Sequence, residues 1–208
     1  MSKKVKNTHP LYVNYFCVVE GQQESSYISH FAKLLNNASK KRFNFNIKIG
    51  KLRDLEKNLY DYDSVFIFDH DFKTAEFERN LLGCIKLNKK NKSAKKNIYH
   101  AYSSACFDLW LILHKRNFNA PVDKAQGYIN EVRQVFNLDS EADIKKKEII
   151  EKILEQITLD DIQKAVERAE KIHSNKLSTD AKKLNGYTYY SNPDFSIHKF
   201  ISIVINQM

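Results

Sequence analysis

A chain of 208 residues with 42% hydrophobic and 28% charged side chains has the composition of an ordinary soluble globular protein, and thirteen Phe and eleven Tyr are enough to fill a core. Five Gly and three Pro exclude a linker-rich or low-complexity chain, and the absence of any apolar run of about eighteen residues excludes a transmembrane helix. The net charge of +9 is carried mostly by Lys, because Arg occurs only at Arg42, Arg53, Arg79, Arg116, Arg133 and Arg168; it suits a polyanionic partner such as nucleic acid and suits solubility equally well. Cys17, Cys84 and Cys106 are odd in number and form no C-x-x-C pair, which argues against a disulfide framework or a zinc ribbon and for three small core residues. The opening MSKKVKNTHP has no apolar stretch after its lysines, so no signal peptide is expected and the cytoplasm is the expected location.

Residues 11–19 (LYVNYFCVV) form a continuous apolar, β-branched and aromatic run, the pattern of a strand buried on both faces, and Glu20-Gly21 ends it. Residues 23–37 follow as a helix with Tyr27, Ile28, Phe31, Leu34 and Leu35 on one face. FNFNIKI (43–49) alternates with period two, as a half-exposed strand does, and a short helix is expected over 52–60. SVFIF (64–68) is a second fully apolar strand, ending at Asp69-His70-Asp71; a helix over 74–87 comes next. The run 86–96 contains six lysines and no acid, a solvated helix end and loop or a phosphate-contacting one. NIYHAY (97–102) reads as a further strand and FDLWLILH (107–114) as a strongly apolar helix, with Ser103 and Ser104 placed to cap it or to touch a phosphate. Strands alternating with helices imply a parallel sheet with helices on its faces. Beyond Pro121 the pattern turns helical, over 122–136, 142–156, 160–174 and 194–206. The expected organisation is an α/β core over residues 1–117 with a helical extension over 118–208.

Two apolar strands thus end in acids, Glu20 on one and Asp69 on another, and in open parallel sheets the functional crevice lies at the carboxyl ends of the strands. If the chain stays extended, Asp71 faces the same side as Asp69. Three converging carboxylates repel one another unless a cation binds them, and Mg²⁺ takes hard oxygen ligands while keeping room for water and substrate phosphate. Acids are common at strand ends because loops are polar; the functional reading rests on the coincidence at two strand ends of the same kind. Asp108 lies in the most apolar helix, where a carboxylate must be paired or ligate a metal. Glu24, on the first helical turn, serves either the site or its own helix N-terminus. His70 is expected to point away from its two neighbouring acids, toward solvent or substrate; His114 is expected to be a satisfied helix-end histidine and Trp110 a core residue. Lys145 to Lys147 lie near Glu141, Glu148 and Glu151 and read as a solvated face, although phosphate contact is open to them.

VVEGQQE (18–24) with FIFDHD (66–71) resembles the two motifs of the TOPRIM fold, an E-G pair and a downstream D-x-D. CFDLWLILH (106–114) and NPDFSIHKFI (192–201), together with Tyr27, Phe31 and Phe72, more specifically resemble the RloB-like family of bacterial defence and restriction-associated loci. Ser104-Ala105 stands where that family has Asn-Pro, Asp108 where Glu is usual, and His70 where Arg is common. The resemblance implies a TOPRIM-like (Rossmann-like) α/β fold and a Mg²⁺- or Mn²⁺-dependent endonuclease cleaving phosphodiester bonds in DNA or RNA, tRNA included. It implies Asp69, Asp71 and Glu20 as metal ligands, with Glu20 also a candidate general acid or base and Glu24 and Asp108 as further acids of the site. It also implies an ATPase partner encoded nearby, since this chain has no G-K-[ST] phosphate loop of its own, and a role in defence against phage. The alternative is a non-catalytic subunit that uses the acidic site to dock onto nucleic acid or the ATPase.

Overall fold

The computed structural model describes residues 11–57, 62–91, 95–122 and 124–208. Residues 58–60 of the expected second helix and residues 92–94 of the lysine run lie outside the described residues, as does the N-terminal segment 1–10.

The expected parallel sheet is present. Strands β1 (Tyr12–Val19), β2 (Arg42–Ile49), β3 (Asp63–Asp69) and β4 (Ile98–Ser104) run parallel in the order β2-β1-β3-β4, and β7 (Asp194–Phe195) joins antiparallel on the outer side of β4. The chain leaves β1 toward β2 on one side and returns to β3 on the other, so the direction of winding reverses between β1 and β3. In a doubly wound sheet such a switch opens a crevice at the carboxyl ends of the two strands. Helices α1 (Gln22–Ala38), α2 (Leu52–Glu56), α3 (Thr74–Asn91) and α4 (Phe107–Lys115) alternate with these strands, and α5 (Ala125–Val135), α6 (Lys147–Glu155), α7 (Leu159–Ser174) and α8 (Ile197–Ile205) complete the described helices. The whole is a Rossmann-like α/β arrangement.

The continuous apolar strands are explained by burial on both faces. Tyr15, Cys17 and Val19 of β1, Val65 and Ile67 of β3 and Ala101 of β4 face one helical layer, which draws on α1 and α4 to α8. The alternate residues Phe16, Val18, Phe66, Phe68 and Tyr102 face α2 and α3. The first core is continuous from α1 and α4 into α5 to α8, so the later helices pack on the same face of the sheet as α1 and α4. At period-two spacing each strand serves both layers. The edge strand β2 buries Phe43 and leaves its alternate side chains exposed, as its alternation predicts. All three cysteines are free and buried, and no helix among the described residues is long and apolar enough to cross a membrane.

The later half differs from expectation in two respects. A two-residue hairpin joins β5 (Ala181–Leu184) to β6 (Tyr187–Tyr190), with Leu184 opposite Tyr187 and both Asn185 and Gly186 at positive φ, the requirement of a type I′ turn. Tyr189 of this hairpin packs on the α3 layer and donates its hydroxyl to Glu78. The helix expected from residue 194 begins only at Ile197, because Asp194 and Phe195 are drawn into the sheet against Ser103 and Ser104.

Asp194 is fully buried and accepts hydrogen bonds from the Tyr102 hydroxyl (2.7 Å), the Tyr190 N–H (2.9 Å) and His173 Nδ1 (2.8 Å). It ties β4, β6 and α7 together. Asp194→Ala strands all three donors, and urea denaturation is expected to show a loss of about 3–5 kcal/mol. A loss under about 1 kcal/mol would mean that water replaces the carboxylate.

Candidate active site

Glu20 and Asp69 meet at the switch between β1 and β3. The Asp69 N–H donates to Glu20 Oε2 (3.1 Å), which locks the rim carboxylate of one strand onto the last residue of the other. Asp69 Oδ2 accepts the Phe107 N–H (2.9 Å) at the first turn of α4, so the side chain also satisfies one of that helix's free donors. Cys106 is the N-cap and makes no side-chain cap bond; Ser103 and Ser104, expected as caps, belong to β4 instead. Asp69 Oδ1 is buried and has no hydrogen-bond partner.

The crevice has a volume of about 350 Å³ and is lined by the carboxylates of Glu20, Glu24, Asp69, Asp71 and Asp108 together with Lys145. A larger cavity of about 470 Å³, between α3, α8 and the hairpin, is lined by Tyr99, Tyr187 and Phe200 and holds no carboxylate. Three of the acids in the crevice are perturbed in one direction. Burial, then the negative charge of Glu24, holds the Asp69 carboxyl well above the ordinary range, against the pull of the Phe107 N–H. Burial also raises Glu24, with Asp108 adding to the shift and Lys145 opposing it. Glu20 is raised by desolvation and by Glu24, although the Asp69 N–H favours its charged form. Desolvation and mutual repulsion thus push Glu20, Glu24 and Asp69 in the same direction.

The D-x-D segment does not stay extended. The strand ends at Asp69, and Asp71 and Phe72 take φ values of 51° and 57°. The Asp71 N–H donates to Ala105 O (2.7 Å) beside the cis Ser104–Ala105 peptide, which pins this turn to the end of β4. Asp71 consequently stands exposed at the rim of the crevice, 3.5 Å from Lys73 Nζ. His70, expected to face solvent or substrate, instead packs its ring on Phe77 (4.9 Å between centroids) and shares a hydrogen bond with Thr74; burial lowers its pKa. His70 follows Phe66 and Phe68 at period-two spacing, so its imidazole falls on the face those residues turn to the α3 layer.

His114 and Trp110 take the structural places expected of them. His114 is buried between the Tyr27 hydroxyl (3.0 Å) and Trp110 O (2.9 Å), and burial lowers its pKa to about 4; Trp110 is fully buried. Glu24 lines the crevice and also folds back over the start of α1, so that its Oε2 lies 2.8 Å from where a Gly21 Cβ would stand. Gly21 is extended (φ −143°), so its missing side chain rather than its freedom to turn is what the site uses. Gly21→Ala is expected to cost about 1 kcal/mol more with Glu24 present than in a Glu24→Ala background, read as the coupling in a denaturant double-mutant cycle. Zero coupling would show that the Glu24 carboxylate moves aside freely.

Lys145 is the residue that sequence reasoning placed elsewhere. Expected on a solvated face, it donates to Asp108 Oδ1 (3.1 Å) and Gln23 Oε1 (2.7 Å) inside the crevice. Its three-lysine run carried no sign of this, since its partners lie in α1 and α4.

A model of the RloB-like protein family matches residues 5–203 of the 208. The chain belongs to the RloB-like family. No curated protein and no solved structure matches it. The matched span covers all five acids of the crevice and Lys145.

The acids of this RloB-like chain fit a hard divalent cation in chemistry. Asp69 Oδ1 is a carboxylate oxygen buried without a donor, and Glu20 uses only Oε2 in the hydrogen bond that fixes it. Such oxygens suit Mg²⁺ or Mn²⁺, which need few protein carboxylates. Among the described residues, no group of three or more His, Cys, Asp and Glu side chains stands ready-made around a metal position. Asp108 has both oxygens engaged, Oδ1 by Lys145 and Oδ2 by the Cys106 thiol (3.6 Å).

Proposed function

We propose that this RloB-like protein is a divalent-cation-dependent nuclease that cleaves phosphodiester bonds in DNA or RNA. The observation that carries the reading is the joining of Glu20 and Asp69 at the β1/β3 switch, where Asp69 keeps one buried oxygen without a partner. Asp69 and Glu20 are the residues to hold Mg²⁺ or Mn²⁺, with Asp71 reaching in from the rim. Held there, such a cation would supply positive charge against the negative charge that develops on a phosphodiester and would lower the pKa of a water molecule. Glu20, at the exposed end of β1 and with a raised pKa, is placed to take a proton from a water at the mouth of the crevice. The Asp69 N–H fixes its orientation as it does so. Asp69 Oδ1 is buried, so charge at that atom is less screened than at the rim. The TOPRIM likeness of the E-G and D-x-D motifs and the basic net charge point the same way.

The family relationship extends the proposal to an anti-phage role with an ATPase partner encoded nearby, tRNA being among the candidate substrates. The test is to incubate the protein, alone and with the product of any neighbouring ATPase gene, with plasmid DNA and bulk tRNA in Mg²⁺ or Mn²⁺. Cleavage that disappears with EDTA and with Glu20→Ala and Asp69→Ala is expected. Absence of cleavage in every combination, or cleavage that survives both substitutions, would leave the alternative of a non-catalytic docking subunit.

A further inference from the structure

The acidic crevice poses a difficulty for a polyanionic substrate. Among the described residues that line it are five carboxylates and one cationic side chain, Lys145. A phosphodiester entering the crevice needs a donor that is already positioned and that the acids have not fully neutralised.

Lys145 meets this description in detail. It sits in the turn ahead of α6, where its own N–H donates to Asp143 Oδ1 (3.0 Å) and the preceding Ile144 is buried in the core, so the backbone beneath it is fixed. Its ammonium donates to Asp108 and Gln23, two of its three possible hydrogen bonds, while its side chain remains about half exposed at 53%. Asp108, at 1% exposure, holds the ammonium from inside the protein, and its other oxygen is taken by the Cys106 thiol. Gln23 is also buried, and its Nε2 lies in the same wall with no acceptor. Lys145, half exposed and with one ammonium donor beyond those given to Asp108 and Gln23, is the cation at the opening that Gln23 and Asp108 also line.

We infer that Lys145 contacts a phosphate of the nucleic-acid substrate at the acidic crevice, with Asp108 and Gln23 as the residues that position it. This rests on the nuclease reading above and assigns Asp108 a part in it other than metal ligation. The Asp108 charge keeps the ammonium protonated and aimed into the crevice, and the half-exposed side chain lets substrate reach it. A plain structural ion pair would leave nucleic-acid binding unmoved when lost; a phosphate contact changes both its strength and its response to salt.

The test is fluorescence anisotropy with labelled single-stranded DNA and RNA oligonucleotides, Ca²⁺ replacing Mg²⁺ to hold off cleavage, over about 50 to 200 mM salt. Lys145→Gln is expected to bind roughly tenfold more weakly at low salt, with the slope of log affinity against log salt shallower by about 0.7. Lys145→Arg should keep most of the affinity and the full slope. Because Lys145→Gln strands a buried carboxylate, the neutral pair Asp108→Asn with Lys145→Gln is measured beside it, with melting curves for every variant. The pair should show the same loss and the same change of slope. Wild-type binding matched by Lys145→Gln or by the neutral pair, or weakened with the slope unchanged, overturns the inference and leaves the nuclease reading standing. A wild-type protein that binds neither oligonucleotide overturns both.

Discussion

Asp69→Asn is expected to raise the melting temperature of the cation-free protein while removing its response to Mg²⁺ or Mn²⁺. The Asp69 carboxyl is held well above its ordinary pKa by burial and by Glu24, and those effects outweigh the hydrogen bond from the Phe107 N–H. A carboxyl whose folded pKa exceeds its unfolded value binds its proton more tightly in the folded state. Its burden on stability is therefore absent below the unfolded pKa, about 4, grows as pH rises toward the folded pKa, and is complete above it. Asparagine keeps an acceptor for Phe107 and puts an N–H₂ donor where Oδ1 stands without one, beside other carboxylates. Relief of about 1–2 kcal/mol near neutral pH corresponds to roughly 2–8 °C for a chain of this size. A divalent cation should stabilise the wild type in proportion to its occupancy and leave Asp69→Asn where it was. Scanning calorimetry at pH 4 and pH 8, with and without cation, reads both effects, and the gain from Asn should shrink at the lower pH. A variant less stable than wild type at pH 8 would contradict the electrostatic account of the site.

Glu20→Gln is the complementary case, with a large effect on chemistry and a small one on the fold. Gln keeps an oxygen for the Asp69 N–H, so the link between β1 and β3 persists, and the residue stands at the exposed rim. What is lost is a carboxylate able to accept a proton or face a cation. Cleavage is expected to fall by about 100- to 10,000-fold, with melting unchanged within about 2 °C. Single-turnover cleavage with saturating enzyme separates this from weaker substrate binding. A fall of less than about threefold would remove Glu20 from the chemistry.

The sequence carried the sheet well because its strands are buried on both faces. Residues 12–19 and 63–69 have nowhere to go but the middle of a parallel sheet, and strand ends in such a sheet define the crevice that gathers Glu20 and Asp69. The helix over 107–115 was equally plain from its unbroken apolar run. What was not legible depended on contacts far apart in the chain. β7 is two residues long and exists because Ser103 and Ser104 accept it as a neighbour, which no local pattern records. The hairpin did carry a signal, Asn185-Gly186 between tyrosine-rich and lysine-rich quartets, whose positive φ values are those an Asn-Gly turn favours. Asp71 was expected on an extended continuation of β3; a left-handed turn pinned to Ala105 carries it to the rim instead. Lys145 reaches Asp108 across 37 residues, and a run of three lysines cannot say which of them turns inward.

The crevice also shows why the neighbouring residues are what they are. Gly21 leaves room for Glu24 to lie over the start of α1, and Cys106 offers Asp108 a small donor within the apolar wall. His70, between two acids, is withdrawn into the α3 layer and burial favours its neutral form, so its imidazole brings no positive charge into the crevice at neutral pH. Among the described residues lining the crevice, the cationic side chain is that of Lys145.

The most direct measurement of the central claim is a Mn²⁺ titration of the purified protein followed by electron paramagnetic resonance. Wild type is expected to bind Mn²⁺ saturably, Mg²⁺ to displace it, and Asp69→Asn to weaken the binding by about tenfold or more. Equal Mn²⁺ binding by wild type and by Asp69→Asn, or no saturable binding by the wild type at all, would contradict a divalent-cation centre at the ends of β1 and β3.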